Sequence, residues 1–326
     1  MNGPYLLRLL CLCLASFFAV NAVVGSLISF ASRAAMRMAE SMRARSAARF
    51  LLALRLLPCA LGIGAVIAFC VPSYLWLEPQ APSERIGWAC LALAFLGAAG
   101  WLVSFARVSL ALSLSLRFDR ACQQTAGVTL LPGDPSNAVI VERDAPLLAL
   151  GGIVRPRLIV SKAVLRSLSA DELELALQHE NAHRASRDNL KRLFLLLAPT
   201  PIPVISRFSS IEQSWTKFSE WAADDEAARG DSHRALSLAA ALLRVARMGT
   251  TPRLSFLHTS LCADDHDLST RVERLLRIQP LPVGPRTSAR SLAVGSSLGI
   301  TVCAGILLVW PATLSLVHGL LELFLH

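Results

Sequence analysis

The clearest chemistry in this chain lies within a single helical turn: His179, Glu180 and His183, in the run His179-Glu-Asn-Ala-His183. On a helix, a step of four residues brings both imidazoles to one side, where they can grip a single ion. Glu180 stands beside the first histidine, close enough to reach a water on such an ion without binding the ion itself. This is the H-E-x-x-H pattern of zinc peptidases. The same residues would also make an ordinary polar face on a surface helix, so the weight falls on what accompanies them.

A second pair is complementary. Glu220 and Asp224, in Glu220-Trp-Ala-Ala-Asp224, are also four apart and project from one side of their helix. A catalytic zinc with two histidines takes one more protein ligand, typically a carboxylate, and keeps a fourth position for water. Glu220 fills the third position. Asp224, one turn on, can accept a hydrogen bond from a ligand imidazole and fix its orientation. Without the upstream motif, the pair would be a solvated acidic patch.

The elements that must hold these groups can be read from the flanks. Ser169-Ala-Asp-Glu172 has capping-box spacing and starts the helix of the histidines, with Leu173, Ala176 and Leu177 as its apolar face. Ser209-Ser-Ile-Glu212 repeats that spacing ahead of Glu220, and Gly230 is a natural stop. Residues 138–141 and 157–160 are β-branched runs that predict short strands, with Gly151-Gly152 and Pro156 marking the turn between them. Residues 127–131 supply a third strand. Substrate could add as a strand along an exposed edge at residues 157–160.

Around this domain the chain is unusually apolar: 54% hydrophobic and 17% charged over 326 residues. Surplus apolar surface of that size must face lipid. Three spans are expected at about residues 5–31, 51–77 and 86–108, within an N-terminal membrane region 1–116. Between the first two lie Arg33, Arg37, Arg43, Arg45 and Arg49 against a single Glu40, the signature of a cytoplasmic loop. Arg55 would snorkel back to that basic side. Trp76 and Trp88 flank a short outer connection. The third span continues to residue 116 as a helix leaving the bilayer.

Residues 117–290 then form a mixed cytoplasmic domain, and residues 291–326 a fourth span, about 292–310, with a short tail. The Pro-rich stretch 193–205 is too short to cross; it could dip into the bilayer interface or equally be buried against the other helices. The formal charge of +9 is explained by basic residues beside the spans. No zinc-finger spacing, RNP-like motif or aromatic-basic stripe is present, so direct nucleic-acid binding is not expected. Six of the eight cysteines lie in apolar runs and no C-x-x-C pair exists, which excludes a disulfide framework and fits a reducing compartment. His233, His258 and His266 are candidates for substrate or transition-state contact, although a histidine in such a place is more often a surface residue. His318 and His326 fall beyond the last span.

Residues 152–160, then Ser169 to Asp188 with its Arg187-Asp188 pair, then Glu220 to Asp224, resemble the BlaR/MecR-type membrane metallopeptidases, a gluzincin family. The resemblance implies a mostly α integral membrane protein with about four transmembrane helices and an α+β gluzincin domain. It implies that His179, His183 and Glu220 bind Zn2+, that Glu180 is general base, and that Asp224 is the acid behind a ligand. Arg271 or Arg274 matches a late segment of the family without a catalytic role. Asn181 replaces an apolar residue common in the relatives, and the β-lactam-sensing domain of some members has no counterpart after the last span. The expected activity is a metalloendopeptidase of the inner (cytoplasmic) membrane. It would cleave a cytoplasmic or membrane-associated protein, such as a transcriptional repressor, in regulatory signalling. Quality control of membrane proteins and a catalytically silent signalling scaffold are the competing readings.

Overall fold

The computed structural model describes residues 3–77, 87–124, 126–129, 138–142, 145–153, 156–200, 208–248, 259–260 and 265–277. The expected fourth span, His258, His318 and His326 lie outside the described residues.

Three long helices come first. Helix α1 (Gly3–Glu40) turns back into α2 (Ala44–Ala65), which passes through one π-helical turn (Val66–Cys70) into α3 (Val71–Leu77); α4 (Trp88–Gln124) follows. All three helical stretches are long and apolar enough to cross a membrane. Their outward faces carry Leu27, Phe30, Ile67, Phe95 and Leu102, all exposed. Contiguous apolar surface of this kind is stable only against lipid or a partner.

The helices overrun the expected spans. The basic stretch read as a loop is almost wholly helical, and only residues 41–43 turn between α1 and α2. Its Ala, Arg and Met are strong helix formers. Ala39, Ala44 and Ala47 are buried where the two helices meet, so the arginines ride on helix ends. Arg55 does not snorkel. It is buried, donates to Glu212 Oε1 at 2.6 Å and to Ala198 O at 3.3 Å, and lies over the Phe208 ring.

A small mixed sheet follows: β1 (Ala126–Thr129), β2 (Ala138–Val141), β3 (Leu148–Gly151), β4 (Arg157–Ser161) and, later, β5 (Thr259–Ser260), in the order β1-β2-β4-β3-β5. β2 and β4 are parallel, and the other pairs are antiparallel. β3 was not expected. All four of its residues are buried, so it lacks the alternation that betrays a half-exposed strand. β4 pairs with β2 on one side and β3 on the other. It has no free edge, which rules out strand addition at residues 157–160.

Helices α5 (Lys162–Ser167), α6 (Ala170–Ser186), α7 (Asp188–Leu197), α8 (Phe208–Ala228), α9 (Ser232–Arg247) and α10 (Asp265–Leu276) complete the described chain. Leu148, Leu150, Leu158 and Val160 cover one sheet face with Ala176, Leu238, Leu242 and Leu275. The other face packs Val139, Leu147 and Ile159 under Phe118 and Cys122, the extension of α4 beyond the membrane segment. The sheet is thus held between a membrane helix and the helices of the site.

Candidate metal centre

The capping box read from the sequence is present: Ser169 Oγ accepts from Glu172 N at 3.3 Å, and Glu172 Oε2 accepts from Ser169 N at 2.8 Å. It sets the start of α6 and so the face on which His179, Glu180 and His183 stand. All three are fully buried. Arg187, in the left-handed region at φ 55°, ends α6 and lets Asp188 begin α7. The second capping box does not form. α8 begins at Phe208, ahead of Ser209, and Glu212 goes to Arg55 instead. The stop at Gly230 is real: Arg229 and Gly230 both take positive φ before Asp231 caps α9.

α8 packs against α6 and brings Glu220 to the histidines. His179 Nε2 and His183 Nε2 are 3.1 Å apart. Glu220 places Oε2 at 3.5 Å from the first and Oε1 at 3.6 Å from the second. Zn–N and Zn–O bonds of about 2.0–2.2 Å in a tetrahedron set neighbouring donors about 3.3–3.6 Å apart. The three side chains thus bring one donor atom each to within 4.8 Å of one another, close enough to gather on one small divalent ion. Two imidazoles and one carboxylate suit a transition metal; calcium and magnesium call for more oxygen.

Each imidazole is backed by an aspartate. His183 Nδ1 stands 2.7 Å from Asp188 Oδ2, and His179 Nδ1 stands 3.0 Å from Asp224 Oδ1. With an aspartate beside each Nδ1, Nε2 of each ring is turned to the shared centre. Asp224 stands beside His179, next to one of the expected ligand rings. Asp188 takes the matching role for the other ring, which the sequence showed only as part of an Arg-Asp pair. Asp188 is itself held by Ser219 Oγ at 3.0 Å and Lys191 Nζ at 2.6 Å.

Arg271, on α10, was given no role from sequence and proves central. Its guanidinium donates to Asp224 Oδ2 at 2.9 Å and Oδ1 at 2.7 Å, and Nη1 lies 3.2 Å from Glu220 Oε2. It positions both carboxylates of α8. The available signal was an arginine set among Leu268, Val272 and Leu275 at helical spacing, on the apolar side of its own helix. Arg274 points elsewhere, to Asp225 at 2.7 Å and over the Trp221 ring. His233 is exposed on the first turn of α9 and takes no part in the cluster.

The electrostatics divide the acids. Burial would raise Glu220, but His183, His179 and Arg271 outweigh it and hold the carboxyl well below its usual range. Asp224 is likewise buried, yet Arg271 and His179 bring it down to about 2. Burial opposes charge on His183, but Glu220 and Asp188 overcome it and raise the ring to about 10. Glu180 goes the other way. It is wholly buried, neither carboxyl oxygen has a hydrogen-bond partner, and burial pushes it up to about 7 against the pull of His179 and His183. One carboxylate is thus fixed as an anion in the donor triangle, while its neighbour is kept free and easily protonated.

No protein-family model matches this chain, and no curated protein matches its sequence.

Proposed function

We propose that the protein is an integral membrane zinc metalloendopeptidase acting on a cytoplasmic or membrane-associated protein substrate. The observation that carries this reading is Glu180, a buried carboxylate without a partner beside three convergent metal donors. Leaving such a group unpaired costs about 1–3 kcal/mol or more, which a structural role would not offset. A group that must exchange protons at the reacting centre has to be left free. The likeness of the three motifs to the BlaR/MecR-type metallopeptidases supports the same reading.

His179, His183 and Glu220 would hold the zinc, with Asp224, Asp188 and Arg271 keeping the ligands in register. A zinc ion there supplies Lewis-acid polarisation of a peptide carbonyl and lowers the pKa of water to about 7. Glu180 Oε takes the proton from the attacking water and passes it to the leaving amine nitrogen. Its raised pKa, near neutrality, suits a group that must both accept and give a proton at physiological pH. The burial of the cluster strengthens each of these interactions by excluding bulk water.

The test compares new protein N-termini in the native host carrying wild type or Glu180→Gln. Peptides present with wild type and lost with the variant support the proposal and name the substrate. Identical N-termini in both, with both proteins metal-loaded, would sink it.

A further inference from the structure

A cavity of about 670 Å3 lies between α1 and α4, apart from the metal centre, and is closed at one side by Pro199 and Thr200 after α7. That volume is in the range of about 300–1,000 Å3 that accommodates a small-molecule ligand. α1 and α4 run side by side in the same direction here. A Cβ on Gly97 would meet Leu14 O at 2.6 Å, and Trp101 packs on Phe17 at 5.3 Å. Seven residues beyond Leu14 and Gly97 come Asn21 and Ser104, each 1% exposed. Arg107 follows one turn later.

The wall is apolar except at this one level. Asn21 Nδ2 donates to Pro199 O at 3.5 Å, while Asn21 Oδ1 is buried with no hydrogen-bond partner. Arg107 lines the cavity and is itself exposed, with no carboxylate among the described residues in ion-pair reach. Counted along α4, it lies about 28 Å from Trp88, close to the roughly 30 Å of a hydrocarbon core. With Trp88 at one interface, Arg107 would fall at the phosphate level of the opposite leaflet, with Asn21 and Ser104 about one turn deeper.

We propose that this cavity binds an anionic phospholipid from the leaflet on the metal centre's side. One acyl chain fills the apolar part beside Phe18 and Gly100. The phosphate pairs with Arg107, and the esterified glycerol lies one turn deeper, beside Ser104 and Asn21. A zwitterionic head would bring an ammonium for which the rim offers no carboxylate. The site also lies near the candidate metal centre's supports: Pro199 lies two residues past the end of α7, and the first residue of α7 is Asp188, which holds His183. A lipid seated here bears on the far end of that ten-residue helix. The binding itself does not depend on the peptidase reading.

The test uses the full chain in phosphatidylcholine nanodiscs with trace phosphatidylglycerol carrying a photoreactive acyl chain. Cross-links are mapped by mass spectrometry. Labelling should concentrate on peptides holding residues 17–21 and 96–104. Arg107→Gln, at an exposed position, should lower the yield about fivefold. Gly100→Leu, whose side chain would fill the cavity, should abolish it. Gly64→Leu is the control, since nothing lies within 4 Å of a Cβ there. A phosphatidylcholine probe with the same tail should label the cavity several-fold less. Equal labelling by the two probes, or wild-type yield with Arg107→Gln, would overturn the proposal even if Gly100→Leu failed to fold.

Discussion

Glu180 and Glu220 are both buried within one cluster, and their partners give them opposite tasks. Glu220 is pinned as an anion by His183, His179 and Arg271, whereas Glu180 has burial without hydrogen bonds. Glu180→Gln should therefore bind metal as wild type does while losing peptide hydrolysis by at least the 10²–10⁴-fold expected of a general base, roughly; metal analysis and a peptide assay check both halves. Asp188→Asn should weaken metal binding by about 10–100-fold, because it loosens the ring of a ligand and removes none; competition with a chromophoric chelator measures this. The metal-free site also carries a proton signature. His183 is raised to about 10, so at neutral pH its ring holds a proton that an ion must displace, and the neighbouring aspartate and glutamate shift His179 in the same direction against burial. Affinity should fall as pH is lowered, and calorimetry in buffers of different ionisation enthalpy should show proton release on binding.

At the scale of elements, α8 is the piece that joins membrane and site. It lies antiparallel along α2, with Arg55 paired to Glu212 near one end and Arg45 to Glu226 at 3.2 Å near the other. Ile211, Trp215 and Phe218 bury themselves against Ala47 and Leu51 between those pairs. The metal-facing Glu220 thus stands on a helix whose back is fixed to a membrane-spanning one. The two ion pairs are not equivalent. Arg45 and Glu226 are about half exposed, so Glu226→Ala should change stability by about 0–1 kcal/mol. Glu212→Ala strips a buried guanidinium of its counter-charge and should cost about 3 kcal/mol, as unpairing a buried charge does. Thermal unfolding of the two variants in one detergent decides between them, and metal affinity should drop only in the second.

Among the described residues, an apolar three-helix bundle is joined to the domain of the candidate metal site through shared helices: α4 leaves the membrane segment to cover the sheet, and α8 returns to lean on α2. The catalytic reading predicts that chelation and dialysis abolish hydrolysis and that zinc restores it; activity that persists in metal-free protein would contradict it. Orientation is checked by reporter fusions. Fusions within residues 162–248 should report the cytoplasm and fusions at residues 78–85 the opposite side.

What the sequence determined by itself is what consecutive residues encode. The H-E-x-x-H and E-x-x-x-D spacings place side chains on one face of their own helices, because helical periodicity is local. The Ser169–Glu172 cap and the three long apolar runs are legible for the same reason. The ends of those runs were not, since Arg33 and Arg37 fit a loop or a helix equally well until buried alanines decide between them. Tertiary structure alone decided that Arg55 faces Glu212, that β4 lies inside the sheet, and that Arg271 grips Asp224 from 47 residues away. Each of those depends on how separate elements pack, where burial makes a charge seek whichever partner the fold brings near.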